Sequence, residues 1–580
     1  MKKLMPFFRD YQKECILAPL FKMLEASFDL CVPLVMAAII DVGIANNDTP
    51  YILRLAGVLV LLGLVGLTCS VTAQYFAAKA AVGFAVGLRR TLFAKIQSLS
   101  FAQMDTIGTS TLITRMTSDV NQVQNGVNLF LRLFLRNPVI IFGSMIFAFL
   151  LDVRAALIFV VAIPILAIII YRVISWTTPL YKQVQLKLDG ILGRTRENLT
   201  GVRVVRAFDK QNAEVAQFQA ENAQLTTLQQ KVGSVSTLMN PLTYCVANIA
   251  IIAILATGAG YFGSTSLLQG NVIALVNYMG LILVELGKVS NLSVQVSKGL
   301  ASAGRVEKIL ALESDMQFPA DAKTPHAASA DAASPAVQFN HVCLNYHGAG
   351  DASLSEISFT AARGQVIGII GGTGSGKSSL VNLIPRFYDV TSGNVCIFGE
   401  AITSYPKDAL RGRIGIVPQR AQLFGGTIRS NLLWGNENAT DAQLWAALTA
   451  AQGAEFVQSK ADGLDTVINH GGQNLSGGQR QRLTIARALV QNPDILILDD
   501  SASALDYATD AALRKAIADL PGDKTVFIVS QRTSSIQNAD QILVLDDGAL
   551  IGTGSHNTLL ETCAVYREIH ESQFAKGGAQ

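Results

Sequence analysis

Val366-Ile-Gly-Ile-Ile370-Gly371-Gly372-Thr373-Gly374-Ser375-Gly376-Lys377-Ser378 is an apolar run that ends in a glycine-rich loop and a lysine. Val366–Ile370 has the pattern of a buried strand, and the loop after it fits G-x-x-x-x-G-K-[ST]. The glycines let consecutive backbone N–H groups turn toward a phosphate, and the helix that follows adds its positive end. Lys377 is placed to reach the β and γ oxygens, Ser378 to offer a hydroxyl to Mg²⁺, and Ser379 to continue the same wall. About 120 residues on, Ile495-Leu-Ile-Leu-Asp499-Asp500 reads as a second buried strand ending in carboxylates, with Asp499 suited to hold the water shell of the metal. Strand, phosphate loop, helix and acidic strand together predict an α/β domain that binds ATP with Mg²⁺.

That domain does not account for the composition. The chain has 580 residues, 50% of them apolar and only 15% charged, against about 25% charged in an ordinary soluble protein. Disordered and collagen-like chains are excluded by this much Val, Leu and Ile. Seven cysteines, at 15, 31, 69, 245, 343, 396 and 563, are odd in number and never spaced C-x-x-C, so neither a disulfide framework nor a zinc module is expected. A net charge of +3, from 46 basic and 43 acidic residues, points to no nucleic-acid partner. The surplus is apolar, and it points to a lipid bilayer.

It lies in the first half. Leu55–Ala78 is 24 residues without Asp, Glu, Lys or Arg, and Pro138–Leu151 and Ala155–Tyr171 are two further charge-free runs. Val232–Val284 is 53 residues without a charge, broken near Gly263 and Gly270, which is long enough for two spans at about 20 residues each. With Ile16–Ile44 this makes six spanning helices. Lys and Arg crowd the N-terminus and the loops 79–136 and 172–231, whereas the opposite connections 46–51 and 263–271 carry none. The positive-inside rule therefore predicts a multi-pass protein of the cell (cytoplasmic) membrane with both termini cytoplasmic. Lys22, Glu25 and Asp29 interrupt the first apolar segment, which argues against a cleaved leader.

Both basic loops keep helical periodicity and read as extensions of the spans beyond the bilayer. A polar helix near Gly299–Leu312 closes the membrane part, and Ser314–Pro335, rich in Ala, Asp, Ser and Pro, reads as a linker. The expected organisation is an all-α transmembrane bundle over 1–312, a linker over 313–335 and the α/β domain over 336–580.

Between the two diagnostic strands stands Leu475-Ser476-Gly477-Gly478-Gln479. With this segment the chain resembles a half-transporter of the ABC exporter type over nearly its full length: six spans followed by one P-loop ATPase domain. The resemblance assigns roles residue by residue. Tyr346, in Leu344-Asn-Tyr346, matches the aromatic that stacks on adenine, although alone it reads equally as a surface aromatic of an edge strand. Gln419, in Ile416-Val-Pro-Gln419, matches the glutamine that touches Mg²⁺, and Ser503-Ala-Leu-Asp506 matches the D-loop. Ser476, Gly477, Gly478 and Gln479 are implied to close the ATP site of a second half-transporter. Short helices near Thr111–Met116 and Thr200–Val205 are implied to carry the motion to the spans.

Two positions depart from that pattern. The residue after the Walker-B aspartate is usually Glu, the base that orients the attacking water; here it is Asp500, one methylene shorter. The last position of Val526-Phe-Ile-Val-Ser-Gln531 is usually His, implied to contact the γ-phosphate; Gln531 donates a hydrogen bond but carries no charge. Asn469-His-Gly471 also replaces the usual Gly-Glu-Arg. The catalytic set here is therefore Lys377, Asp500 and Gln531, and the expectation is the slow-site half of a heterodimeric, multidrug-type exporter. A homodimer with a slow Asp base, and a siderophore-type importer on the same scaffold, stay open. The exported substrate is expected to be a hydrophobic or amphipathic drug, lipid or peptide. Lys22, Glu25 and Asp29 share one helix face, and line the translocation path or simply pair with other groups.

Overall fold

Long apolar segments without charge have one stable form in a bilayer, the helix, because only there is each backbone polar group satisfied within its own segment. A computed structural model describes residues 2–260, 268–319, 334–346, 350–501 and 505–574. The chain forms two units, one of residues 1–97 and 110–312, the other of 98–109 and 313–580.

In the first unit, six helices among the described residues are long and apolar enough to cross a membrane: Leu4–Ile44, Thr49–Gln97, Thr109–Leu151, Val153–Thr200, Gln211–Gly258 and Gln269–Ala311. The longest has 49 residues, which is about 74 Å at a rise of about 1.5 Å per residue. A bilayer core is about 30 Å thick, so more than half of that helix runs beyond the hydrocarbon, as the periodic basic loops predict. Small side chains let the helices approach closely: Ala26, Ala37, Ala148, Ala155 and Ala156 are buried, packed around Phe159 and Tyr278. The Tyr278 hydroxyl donates to Leu30 O at 2.7 Å. Asp41 caps the last helix, accepting from the N–H of Gly270 at 2.6 Å and of Asn271 at 3.2 Å. A side chain at 270 would stand 2.4 Å from Ala37 O, so this crossing needs glycine.

Lys22, Glu25 and Asp29 of the first helix are each partnered. Lys22 Nζ pairs with Glu25 at 2.5 Å and donates to Ser70 Oγ at 3.1 Å. Asp29 accepts from Arg136 at 3.1 Å, and Arg136 also pairs with Glu285 at 2.7 Å. In the sequence, Arg136 and Glu285 stand out only as the edges of charge-free runs. All seven cysteines are free thiols.

The second unit is built on a ten-stranded sheet. Its strands are β1 (Val337–Leu344), β2 (Leu354–Ala361), β3 (Val366–Gly371), β4 (Ser392–Ile397), β5 (Glu400–Ala401), β6 (Ile414–Val417), β9 (Ile495–Asp499), β10 (Thr525–Val529), β11 (Gln541–Asp546) and β12 (Ala549–Gly554). The short β7 (Gly426–Thr427) and β8 (Val467–Ile468) pair separately. The spatial order is β5-β4-β1-β2-β12-β11-β3-β10-β9-β6. Strands β11, β3, β10, β9 and β6 run parallel, and β3, β9 and β10 read as continuous apolar runs because helices cover both faces. The fold class is thus a six-helix transmembrane bundle followed by an α/β P-loop domain.

One expectation is corrected. The resemblance implied a short intracellular helix near Thr111–Met116; the short helix grouped with the sheet is Phe101–Ile107, nearer the N-terminus. Its limits are local chemistry: Ser100 and Gln103 form a capping box at the start, and Gly108 stops it with φ +81°. Phe101 packs on Phe387 at 4.6 Å between ring centroids, and Asp105 accepts from the Tyr388 hydroxyl at 2.6 Å. The second short helix is Val202–Ala207, where expected.

Candidate functional site

The C-terminal ends of β3, β10 and β9 lie side by side, with Val529 opposite both Ile369 and Asp499. Open parallel sheets place ligands at that edge, and here it carries the glycine loop, Asp499–Asp500 and Ser530–Gln531 together. They enclose a cleft of about 280 Å³ lined by Thr373, Gly374, Gly376, Lys377, Ser378, Ser379, Gln419, Asp499, Asp500 and Gln531. Ala352, Ser353, Asp547 and Gly548 also line it, and no sequence motif points to them; Asp547-Gly548 signals only a turn.

Gly376 sits at φ +91° as the N-cap of the helix Lys377–Leu383, and a Cβ there would stand 2.7 Å from Ser353 O. Both facts require glycine at this point. Lys377 is buried; its Nζ donates to Gly371 O at 2.9 Å, Gly372 O at 2.5 Å and Ser375 Oγ at 3.3 Å. Burial holds its ammonium below the ordinary lysine value, against the opposing pull of Asp500 and Asp499. A cation so poorly solvated gains strongly from an anionic phosphate. Gly371, Gly372 and Ser375 form the loop wall that holds this lysine rather than the lining of the cleft.

Ser378 Oγ donates to Asp499 Oδ1 at 3.1 Å, and burial first, then Asp500, pushes the Asp499 carboxyl above its usual range. Across the cleft Gln419 Nε2 donates to Asp500 Oδ2 at 3.3 Å. Ser378, Gln419 and Asp499 all line the cleft with hard oxygen donors and fit Mg²⁺, which takes few protein ligands and the rest from phosphates and water. Among the described residues no three His, Cys, Asp or Glu side chains group into a metal site of their own. Bound there, Mg²⁺ would neutralise charge on the phosphates; Lys377 would hold their oxygens.

Asp500 leaves the strand at φ +46°, its N–H bonded to Val529 O at 3.0 Å. Gln531 follows at the end of β10, with Ser530 N–H bonded to Ile369 O at 3.0 Å. The two unusual residues therefore share one cleft. Tyr346 lies beside it: its hydroxyl donates to Ser379 Oγ at 3.1 Å and its ring meets Tyr388 edge-on at 5.0 Å.

Ser476, Gly477, Gly478 and Gln479 stand apart from the cleft. Ser476 caps the helix Gly477–Val490, with Gln479 N–H donating to Ser476 Oγ at 3.3 Å and Ser476 N–H to Gln479 Oε1 at 3.0 Å. Ser476 and Gly477 are exposed at that helix start, free to meet an anion from outside this chain. Of the D-loop, Ser503 and Ala504 lie outside the described residues, and Asp506 caps the helix Tyr507–Ala518.

Comparison with known proteins agrees with this geometry. Residues 15–286 match the ABC transporter transmembrane region, and residues 354–503 match the family described as ABC transporter. An uncharacterized ABC transporter ATP-binding protein of Mycobacterium tuberculosis is 36% identical over 570 residues, 97% of each chain. The ABC transporter ATP-binding protein YfiB of Bacillus subtilis is 35% identical over 583 residues, the whole of both chains. An ATP-dependent lipid A-core flippase of Haemophilus ducreyi is 29% identical over 580 residues, 99% of this chain and 98% of that one. Among solved structures, a bacterial Atm1-family ABC exporter with ATP bound superposes with a TM-score of 0.79 at 23% identity, covering 98% of this chain and 99% of the other.

Proposed function

The chain belongs to the ABC transporters, a membrane-embedded half-transporter with one ATPase domain and the exporter fold, and from that premise we propose that it drives export of a hydrophobic or amphipathic substrate as the slow-site subunit of a heterodimer. ATP and Mg²⁺ occupy the cleft, with the phosphates on Lys377 and the loop 371–376, the adenine on Tyr346, and the metal on Ser378, Gln419 and Asp499. Both termini and the ATPase domain lie on the cytoplasmic side, as the Lys and Arg bias supports. The flippase relative, at 29% identity, favours an amphipathic, lipid-like cargo.

One observation carries the asymmetric role: Asp500 and Gln531, the two departures from the family's catalytic set, line the same cleft. A general base must stand within about 2.6–3.2 Å of the proton it takes, so a side chain one methylene short loses rate while binding is retained. The signature Leu475–Gln479 is intact and its serine is exposed, which supports a second role, completing a competent site on the partner half-transporter. Proteoliposomes holding the chain alone, and the chain with its partner, test this. Little hydrolysis by the lone chain is expected, and fast hydrolysis by the pair that survives Asp500→Asn and is lost with Ser476→Ala. Robust hydrolysis by the lone chain that falls with Asp500→Asn would favour the homodimer instead.

A further inference from the structure

The C-terminal helix Ala564–Phe574 reaches back to the segment that carries Gln531, and we infer that Gln573 on this helix is a positioning residue for the γ-phosphate side of the cleft. Gln573 Oε1 accepts from the Thr533 N–H at 2.9 Å and from Thr533 Oγ1 at 3.1 Å. The other end of the same carboxamide, Nε2, donates to Gln531 O at 2.7 Å. One side chain thus clips both ends of the turn that follows β10. Thr533 opens the short helix Thr533–Ile536, so its N–H is a donor without a partner in that helix; Gln573 supplies the cap from 40 residues away.

The rest of the turn is held by nearby groups. Ser530 N–H is bonded to Ile369 O at 3.0 Å, and Arg532 N–H to Ser530 Oγ at 2.9 Å. With these bonds made, the Gln531 carbonyl is turned to the C-terminal helix while its residue lines the cleft. The helix is firm enough to act as a reference. Tyr566 is fully buried, its hydroxyl 2.7 Å from His556 Nδ1, in a cluster that includes Ile536 and Ile370, the residue before the glycine loop. His570 Nδ1, one turn before Gln573, stands 3.3 Å from Thr533 Oγ1.

An uncharged Gln531 has only directed hydrogen bonds to offer a phosphate, and these weaken steeply with misalignment. The backbone that aims it therefore matters more here than it would for a charged side chain. The inference rests on the cleft being the nucleotide site, and it concerns the γ-phosphate alone.

The test uses the full chain in lipid nanodiscs, with ATP and ADP each competing against trinitrophenyl-ATP. Gln573→Ala is expected to weaken ATP about fivefold while ADP stays within twofold, since two or three modest hydrogen bonds are lost and ADP has no γ-phosphate to sense them. Gln573→Glu keeps acceptors for Thr533 but has no N–H for the Gln531 carbonyl, and is expected to show the same ATP-selective loss. Ser572→Ala, on the preceding position of the helix, should change neither affinity. Equal losses for ATP and ADP in both Gln573 variants, or no loss in either, would overturn the inference. Binding unchanged in Lys377→Ala would instead remove the nucleotide reading, and the inference with it.

Discussion

Restoring the missing methylene should speed hydrolysis in this chain's own cleft. Asp500 occupies left-handed backbone, φ +46°, which Asp tolerates better than most residues. Asp500→Glu lengthens the side chain by one C–C bond, about 1.5 Å, and brings the carboxylate to the reach expected of a base. A well-placed general base is worth about 10² to 10⁴ in rate, or about 2.7 to 5.4 kcal/mol at about 1.36 kcal/mol per decade. Left-handed strain on a residue less suited to it costs about 1.5 kcal/mol of stability, present in ground and transition state alike. The low end of the gain, about 2.7 kcal/mol, is a rise of about a hundredfold. Adding Gln531→His places a cation-capable ring on the same wall and should raise the rate further. The assay is phosphate release at saturating Mg-ATP in nanodiscs, with Asp500→Asn as the inactive reference for the lone chain and as the measure of the partner site's own rate in the assembly. An Asp500→Glu protein that binds ATP normally and hydrolyses no faster than the natural chain would refute the reasoning.

Arg136 bridges Asp29 and Glu285 with its side chain 12% exposed and that of Glu285 only 3% exposed. Arg136→Met leaves the buried Glu285 carboxylate with Lys288 Nζ, at 2.7 Å, as its remaining cation and should cost about 1.5–3 kcal/mol, read as a lower Tm in detergent; Arg136→Met with Glu285→Met should recover most of it. A double variant no more stable than the single one would count against this pairing. Tyr388→Phe deletes only the bond to Asp105 and keeps the ring contacts with Tyr346 and Phe101. Substrate stimulation of ATPase should fall several-fold with ATP affinity unchanged, whereas a matching fall in affinity would assign the bond to nucleotide binding. Burial, then the neighbouring His570, holds His556 below the ordinary imidazole value. The unfolded form takes the proton first as pH falls, so stability from this contact is lost below about pH 6.5. Hydrogen exchange in Ala564–Phe574 should rise through that range, and His556→Gln should remove the pH dependence.

Motifs that are contiguous in the chain are legible from its residues alone. The glycine loop, the strand ending at Asp499 and the signature at Leu475–Gln479 each encode a local shape, and local shape follows from neighbouring residues. The span count is legible for a similar reason, since a bilayer demands length and absence of charge over one continuous segment. The short helix Phe101–Ile107 carries its own signals in Ser100, Gln103 and Gly108, and these local caps, not the positions implied by resemblance, set where it lies. Partnerships between distant residues leave no such mark. Arg136 is one of many basic loop residues, and nothing near it announces Asp29 or Glu285. Asp41 reads as an interruption of an apolar run, and its role as cap of Gln269–Ala311 needs residues 229 positions apart to meet.

The sequence by itself determined the two-part architecture, the phosphate loop and the two unusual residues, because each rests on spacing along one strand, loop or helix. Only the tertiary structure decided that Asp500 and Gln531 share a cleft, that Asp29 is answered by Arg136, and that Gln573 clips the turn after β10. Those facts depend on the order in which strands pair and helices cross. That order is set by burial summed over the whole chain, which no short stretch of residues records.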